Sequence, residues 1–359
     1  MNFAIIPWDE NGLGDRMFDI KDKTLNVDHR LEQYYYMKKE FELKGDILHT
    51  IDFYVDLKQV DYFLFFELDI YWLKNLVDLH LEERMVYCNA EPPTVNKYNC
   101  KEGFKKLQKY FPYIMTWNDE LVDEITVFKR NIPYYFEDKR ENTPFENRKL
   151  LTCISGNKKS NHSNELYTER ERVITFFEKN HPDKFDFYGG GWNKEKHPCY
   201  GGKIEDKSQI YHKYKFAIAF ENMGNVKGYI SEKILDCLTS GIVPIYEGAE
   251  NIKKYIPEKC YISYCEFSSL NELANYLITM SEKEFNQYLE AADCFIHSEQ
   301  IDLFSGQVYA RYIYNVTVHA TKTFRVSKIN KLSLDFLVCV KNSKNKIKKG
   351  IHFLENMRK

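Results

Sequence analysis

The chain reads as an α/β protein built from two facing, Rossmann-like doubly wound domains with a cleft between them. Three observations lead there. Its 359 residues exceed what one core ordinarily organises. Strand-like and helix-like stretches alternate through both halves, the pattern of parallel sheets with crossover helices. A polar, charged segment, 137–148, separates the halves and reads as a linker. The expected division is 1–148, 149–318, and a basic tail, 319–359.

Composition narrows the function classes. Hydrophobic residues make up 43% of the chain, enough for two cores and against disorder. The formal net charge of -2 supplies no field for nucleic acid. Nine cysteines without a CxxC pair fit buried thiols in a reducing compartment better than a disulfide framework or a zinc site. The opening MNFAIIPWDENG lacks the basic start and long apolar core of a signal peptide, and no later run is long enough to span a bilayer. A cytoplasmic protein is therefore expected. P-loop, HExxH and GxSxG patterns are missing.

In the first half, strands are expected at 3–8, 47–51, 62–66, 110–117 and 132–136, with helices at 29–44 and 72–81. The Gly12-Leu13-Gly14 run reads as a turn. Between Arg84 and Pro93 a short strand ends at Cys88, and Glu91 follows before two prolines that stiffen the loop. A carboxylate held at a strand's C-terminal end suits a general base; the same residue also fits a solvated loop.

The second half restarts with a strand at 150–155, a polar turn, and an amphipathic helix at 165–180. Arg170 and Arg172 lie in mid-helix, with Val173 and Phe177 marking the buried stripe beside Arg170. A strand at 185–188 runs into a glycine-rich turn ending at Trp192, read as crossing the surface. The most informative run is FAIAFENMGNVKGYISEKILDCLTSGIVPIYEG, 216–248. It is strand, polar loop, helix, strand, with Gly241 stopping the helix. Such units bind ligands at the C-terminal ends of their strands, beside helix N-termini that favour anions. Glu232 and Lys233 stand at that helix start: the lysine suits a phosphate and the glutamate ribose hydroxyls, although the pair also fits a capped surface helix. Further elements are a strand at 261–264 and helices to 318. The one covering 304–314 is expected to pack back toward the first domain.

The run from Phe220-Glu221-Asn222 through Gly228-Tyr229-Ile230-Ser231-Glu232-Lys233 to Gly241-Ile242-Val243-Pro244 and Gly248 resembles the donor-binding signature of the α1,3-fucosyltransferase family (glycosyltransferase family 10), bacterial type. The resemblance implies the GT-B fold, an acceptor on the N-terminal side and GDP-fucose on the C-terminal side. It implies inverting transfer of L-fucose to a hydroxyl of an N-acetyllactosamine-type glycan, α1,3 linkage foremost. By the same resemblance Glu91 is the catalytic base, in Asn89-Ala90-Glu91-Pro92. Arg170, which fits the family register better than Arg172, meets the phosphates. Asn222 and Tyr229 orient the donor, Glu232 holds the ribose and Lys233 neutralises the diphosphate. No DxD pair is present, so no metal or further cofactor is expected and cations must neutralise the leaving diphosphate. A same-fold transferase of another nucleotide sugar, or a non-catalytic glycan- or nucleotide-binding protein, stands as the alternative.

The tail alternates lysines and arginines with apolar residues. It fits a peripheral membrane anchor on the inner face or a solvated basic helix, and some bacterial members of the family resemble it there.

Overall fold

The computed structural model describes residues 1–137, 140–141, 143–319 and 323–356, with side chains described as far as 343. Lys322, Arg358 and Lys359 of the tail, and 138, 139 and 142 of the linker, lie outside the described residues.

The first domain runs β1 (Asn2–Ile6), α1 (Glu32–Leu43), β2 (Ile47–Thr50), β3 (Tyr62–Phe65), α2 (Ile70–Asp78), β4 (Met85–Cys88), α3 (Lys101–Leu107), β5 (Tyr113–Thr116) and β6 (Val127–Lys129). These strands form a parallel sheet in the order β2-β1-β3-β4-β5-β6. Its strands read as continuous apolar runs because both faces are covered. Ala4, Ile6, Phe63, Phe65, Met85 and Tyr87 feed one core, while Phe3, Ile5, Leu64, Val86 and Cys88 feed the other.

The second domain runs β7 (Lys149–Ile154), α4 (Tyr167–Asn180), β8 (Phe185–Tyr188), α5 (Ser208–Tyr211), β9 (Tyr214–Phe220), α6 (Glu232–Thr239), β10 (Val243–Glu247), β11 (Ile262–Ser263), α7 (Leu270–Thr279) and α8 (Glu282–Ile296). Its parallel sheet has the order β11-β10-β9-β7-β8. Gly241, with φ of +67°, closes α6.

The chain then returns to the first domain. In α9 (Gly306–His319), Tyr309, Ala310 and Ile313 are buried in the first-domain core, as expected of the returning helix. The final helix, α10 (Lys328–Asn356), packs on α2: Leu334 is buried there and Lys74 pairs with Asp335 at 2.6 Å.

Two expectations are corrected, and one helix appears that none foresaw. The segment 132–136 is not a strand; it makes a single bridge, Tyr134 to Ser305, and Pro133 has no N–H to donate to a ladder. The edge strand is β6 instead. Helix α3 had no counterpart in the sequence reading. The first helix starts at Glu32, because Asp28 and His29 before it have positive φ.

Both sheets reverse strand order once, between β1 and β3 in the first and between β7 and β9 in the second. Such switch points open crevices at strand C-terminal ends, where open α/β sheets bind ligands.

Candidate active site

Glu91 lies just past the end of β4 on a loop fixed by buried asparagines. Its backbone carbonyl accepts hydrogen bonds from Asn89 Nδ2 (3.0 Å) and Asn99 Nδ2 (2.7 Å). Asn89 in turn accepts one from Thr116 Oγ1 (2.8 Å), and Asn99 one from the Tyr87 hydroxyl (3.0 Å). Neither asparagine is exposed to solvent. The backbone is thus held while the carboxyl stands open to the cleft. Desolvation by the cleft walls, then the charge of Glu232, pushes that carboxyl above its ordinary value, with Lys233 and Lys158 opposing.

Across the cleft, the start of α6 is organised by a residue absent from the expected site, Glu221. It is fully buried and accepts hydrogen bonds from Ser231 N–H (2.7 Å) and Ser231 Oγ (2.5 Å). Because the Ser231 hydroxyl turns to Glu221, it does not cap the helix, and the first-turn N–H groups keep their anion-binding character. Lys233 Nζ reaches Ser231 Oγ (2.9 Å), Glu232 Oε1 (3.3 Å) and Glu221 Oε2 (3.4 Å). Burial disfavours the charged lysine, but Glu232 and Glu221 outweigh it and raise its pKa, so it stays cationic. Burial likewise works against the Glu232 carboxylate, yet Lys233 and Lys207 hold it down at about 2. Gly248 completes the arrangement: a Cβ there would meet Glu221 Cγ at 2.5 Å.

Arg170 sits at the second switch point. Its guanidinium donates to Ser155 Oγ (2.6 Å) beyond β7 and to the carbonyls of Phe220 (2.6 Å) and Glu221 (2.8 Å) at the end of β9. It therefore straps the two strands together, and its charge is close enough to be felt by Lys233. Arg172 is instead bound to Glu169 and the Tyr264 hydroxyl and is exposed. Tyr167, also unforeseen, lies under Arg170 with 5.5 Å from guanidinium to ring, where it senses both Lys233 and Glu91. The glycine-rich turn leans on the same strand end rather than running free over the surface: Trp192 Nε1 donates to Ser155 O (2.7 Å), and a Cβ at Gly189 would meet that carbonyl at 2.2 Å.

Tyr229 is buried against Trp117 of the first domain, their rings 4.9 Å apart, and its hydroxyl is 3.4 Å from Asn222 Nδ2. Asn222 is partly exposed beside it. The loop between them also docks on the first domain: a Cβ at Gly228 would meet Trp117 O at 2.4 Å, and Asp119 binds Tyr255 and Asn251 across the junction. Ser160 Oγ reaches Thr94 O (3.2 Å), tying the second domain to the Glu91 loop. Glu232 and Lys233 are near enough to act on the Glu91 carboxyl, and Arg170 is near enough to act on Lys233, while Tyr229 and Asn222 sit where the two domains meet. Among the described residues, no three His, Cys, Asp or Glu side chains converge as metal ligands.

Residues 146–302 match the family described as glycosyltransferase family 10 (fucosyltransferase), C-terminal part. An Arabidopsis thaliana alpha-(1,4)-fucosyltransferase is 44% identical over 64 residues, 18% of this chain and 16% of that protein. The alpha-(1,3)-fucosyltransferase FucT of Helicobacter pylori is 27% identical over 109 residues, 30% of this chain and 22% of that protein. These matches span less than a quarter of the relatives' lengths. A crystal structure of alpha1,3-fucosyltransferase with GDP-fucose superposes with a TM-score of 0.54 at 16% identity, covering 91% of this chain and 93% of the other. The two-sheet architecture is the GT-B fold.

Proposed function

Residues 146–302 are a glycosyltransferase family 10 domain, and from that premise we propose that the protein is an inverting fucosyltransferase moving L-fucose from GDP-fucose to a sugar hydroxyl. One observation carries the reading: a carboxylate on a rigid loop and a cation at a helix tip come from opposite domains to the same place, near enough for the cation to favour the ionised carboxylate. Glu91 takes the acceptor proton as the oxygen bonds to the anomeric carbon. The bond from that carbon to the phosphate oxygen breaks, and GDP leaves with the charge. Lys233, the α6 N-terminus and Arg170 meet charge that grows in the transition state, so they act on rate and not only on binding. No divalent ion is required. Glu232 holds the ribose, and Asn222 and Tyr229 orient the donor.

The acceptor class that fits is an N-acetyllactosamine-type glycan, with α1,3 linkage foremost and α1,4 the competing outcome, since relatives of both kinds match part of this chain. The experiment is GDP release and NMR of the product from GDP-fucose plus N-acetyllactosamine. Release tied to a fucosylated product supports the reading. Thermal stabilisation by UDP-sugars or GDP-mannose but not GDP-fucose points to another donor, and GDP-fucose binding without GDP release points to a binding protein.

The same proposal puts the enzyme at the membrane surface. No helix among the described residues is long and apolar enough to cross a membrane. On α10, however, Ile329 (78% exposed), Leu332 and Phe336 form an outward apolar stripe flanked by exposed Lys328 and Lys341. That combination suits an anionic bilayer interface on the cytoplasmic side.

A further inference from the structure

The first domain has its own crevice beside Glu91, and part of it has no role in the chemistry above. A cavity of about 860 Å³ lies at the C-terminal ends of neighbouring strands, lined by Trp8 after β1, Glu67 after β3 and Glu91 after β4, with Tyr34, Asn96 and Tyr98 around them. It sits at the β1–β3 switch point, where an open sheet leaves room for a ligand. Its size is that of an ordinary small-molecule site.

Glu67 is the unusual member. One carboxyl oxygen is bound by Asn96 Nδ2 at 2.6 Å, while the other, Oε1, is buried without a hydrogen-bond partner. An unsatisfied buried carboxyl oxygen costs stability unless a ligand or water supplies a donor. Burial raises its pKa to about 7, against the Asn96 hydrogen bond, and Glu91 is close enough to add to the rise. Trp8, which lines the same cavity, is braced by the Arg30 guanidinium and the Tyr34 ring, each 5.4 Å from its own, and presents a fixed apolar wall. A carboxyl and an aromatic wall in one cavity are the chemistry that holds a pyranose, with its C–H face on the ring and its hydroxyls on the acid.

We infer that this cavity is the subsite for the acceptor pyranose, in which Glu67 binds a hydroxyl neighbouring the one that Glu91 deprotonates. The inference rests on the fucosyl-transfer reading and deepens it. Glu67 is a specificity-determining residue: it selects acceptors with a free polar group next to the reacting position and rejects those in which that group is missing. Trp8 contributes affinity without regard to hydroxyl pattern.

The test measures saccharide binding apart from turnover. Methyl N-acetyllactosaminide and its monodeoxy derivatives are titrated by ligand-observed NMR, with GDP present, against wild type, Glu67→Ala, the isosteric Glu67→Gln and Trp8→Ala, each checked for a cooperative melting transition that GDP raises. The expected result is that one deoxy derivative binds wild type at least tenfold more weakly, that this penalty disappears in Glu67→Ala and shrinks in Glu67→Gln, and that Trp8→Ala weakens the whole panel evenly. Equal binding of the panel by wild type and both Glu67 variants, or no binding of any member by wild type, overturns the inference. GDP release from GDP-fucose is followed in parallel. Saccharide binding without release refutes the transfer reading alone, and release with an unaltered Glu67 variant refutes the subsite alone.

Discussion

Glu221 offers the sharpest structural prediction, because a fully buried carboxylate organises the cation 3.4 Å from it, both directly and through Ser231. Replacing it with alanine removes two charge-assisted hydrogen bonds to Ser231 and leaves Lys233 with Glu232 as its acidic partner. Bonds to charged groups contribute about 1.5–3 kcal/mol each, so the gross loss is about 3–6 kcal/mol. Part is recovered, because burial disfavours this carboxylate and pushes its pKa up. A net destabilisation of about 2–4 kcal/mol follows, which is roughly 5–15 °C in the midpoint of a domain this size. Turnover should fall at least tenfold as Lys233 loses its orientation, since misplacing a charged donor forfeits its transition-state contribution. Glu221→Gln keeps the shape and should lie between alanine and wild type. Differential scanning calorimetry with and without GDP, together with GDP-release kinetics, measures both effects. A Glu221→Ala protein that melts within about 2 °C of wild type and turns over normally would refute the reasoning.

Other consequences are independent of that residue. The Glu91 carboxyl is raised by burial and by Glu232, so its basic form is lost on the acid side at a pH above the ordinary 4.5; the kcat/KM profile should show that limb, and Lys158→Ala, which removes a cation opposing the rise, should move it further up. Glu67 binds its proton more tightly in the folded state, so stability should decline as pH rises from about 4.5 to about 7, and urea titrations of Glu67→Gln should lack that decline. On α10, Leu332→Glu with Phe336→Glu should reduce binding to phosphatidylserine vesicles severalfold and leave turnover in detergent-free solution unchanged, because both side chains are 69% exposed and lie two positions either side of buried Leu334, on the other face of the helix.

The architecture was legible where burial on both faces forced uninterrupted apolar strands and where glycine closed a helix, as at β9, α6 and Gly241. It failed where the physical signal is weak. β6 has three residues, Val127–Lys129, and ends in a lysine at a sheet edge. α3 contains Gly103, a helix-disfavouring residue retained because a Cβ there would meet the Tyr98 carbonyl at 2.1 Å. In the site, residues within one motif were legible: Glu232 and Lys233 are adjacent, and both stand at the α6 start. Partners separated along the chain were not. Asn99 reaches Glu91 through the fold, and Tyr167 meets the cleft only because α4 begins there. Glu67 did carry a signal, an acidic residue ending an apolar strand, as Glu91 and Glu221 do.

The claim on which the account turns is that a lysine and a helix tip, and not a divalent ion, take up the charge of the departing GDP. GDP release from GDP-fucose with acceptor, measured for wild type and Lys233→Ala with chelator or with added magnesium, tests it directly. Wild-type rates should be the same in both conditions, and Lys233→Ala should lose on the order of a hundredfold or more that magnesium does not restore. Wild-type activity abolished by chelator, with Lys233→Ala near normal when magnesium is present, would contradict it.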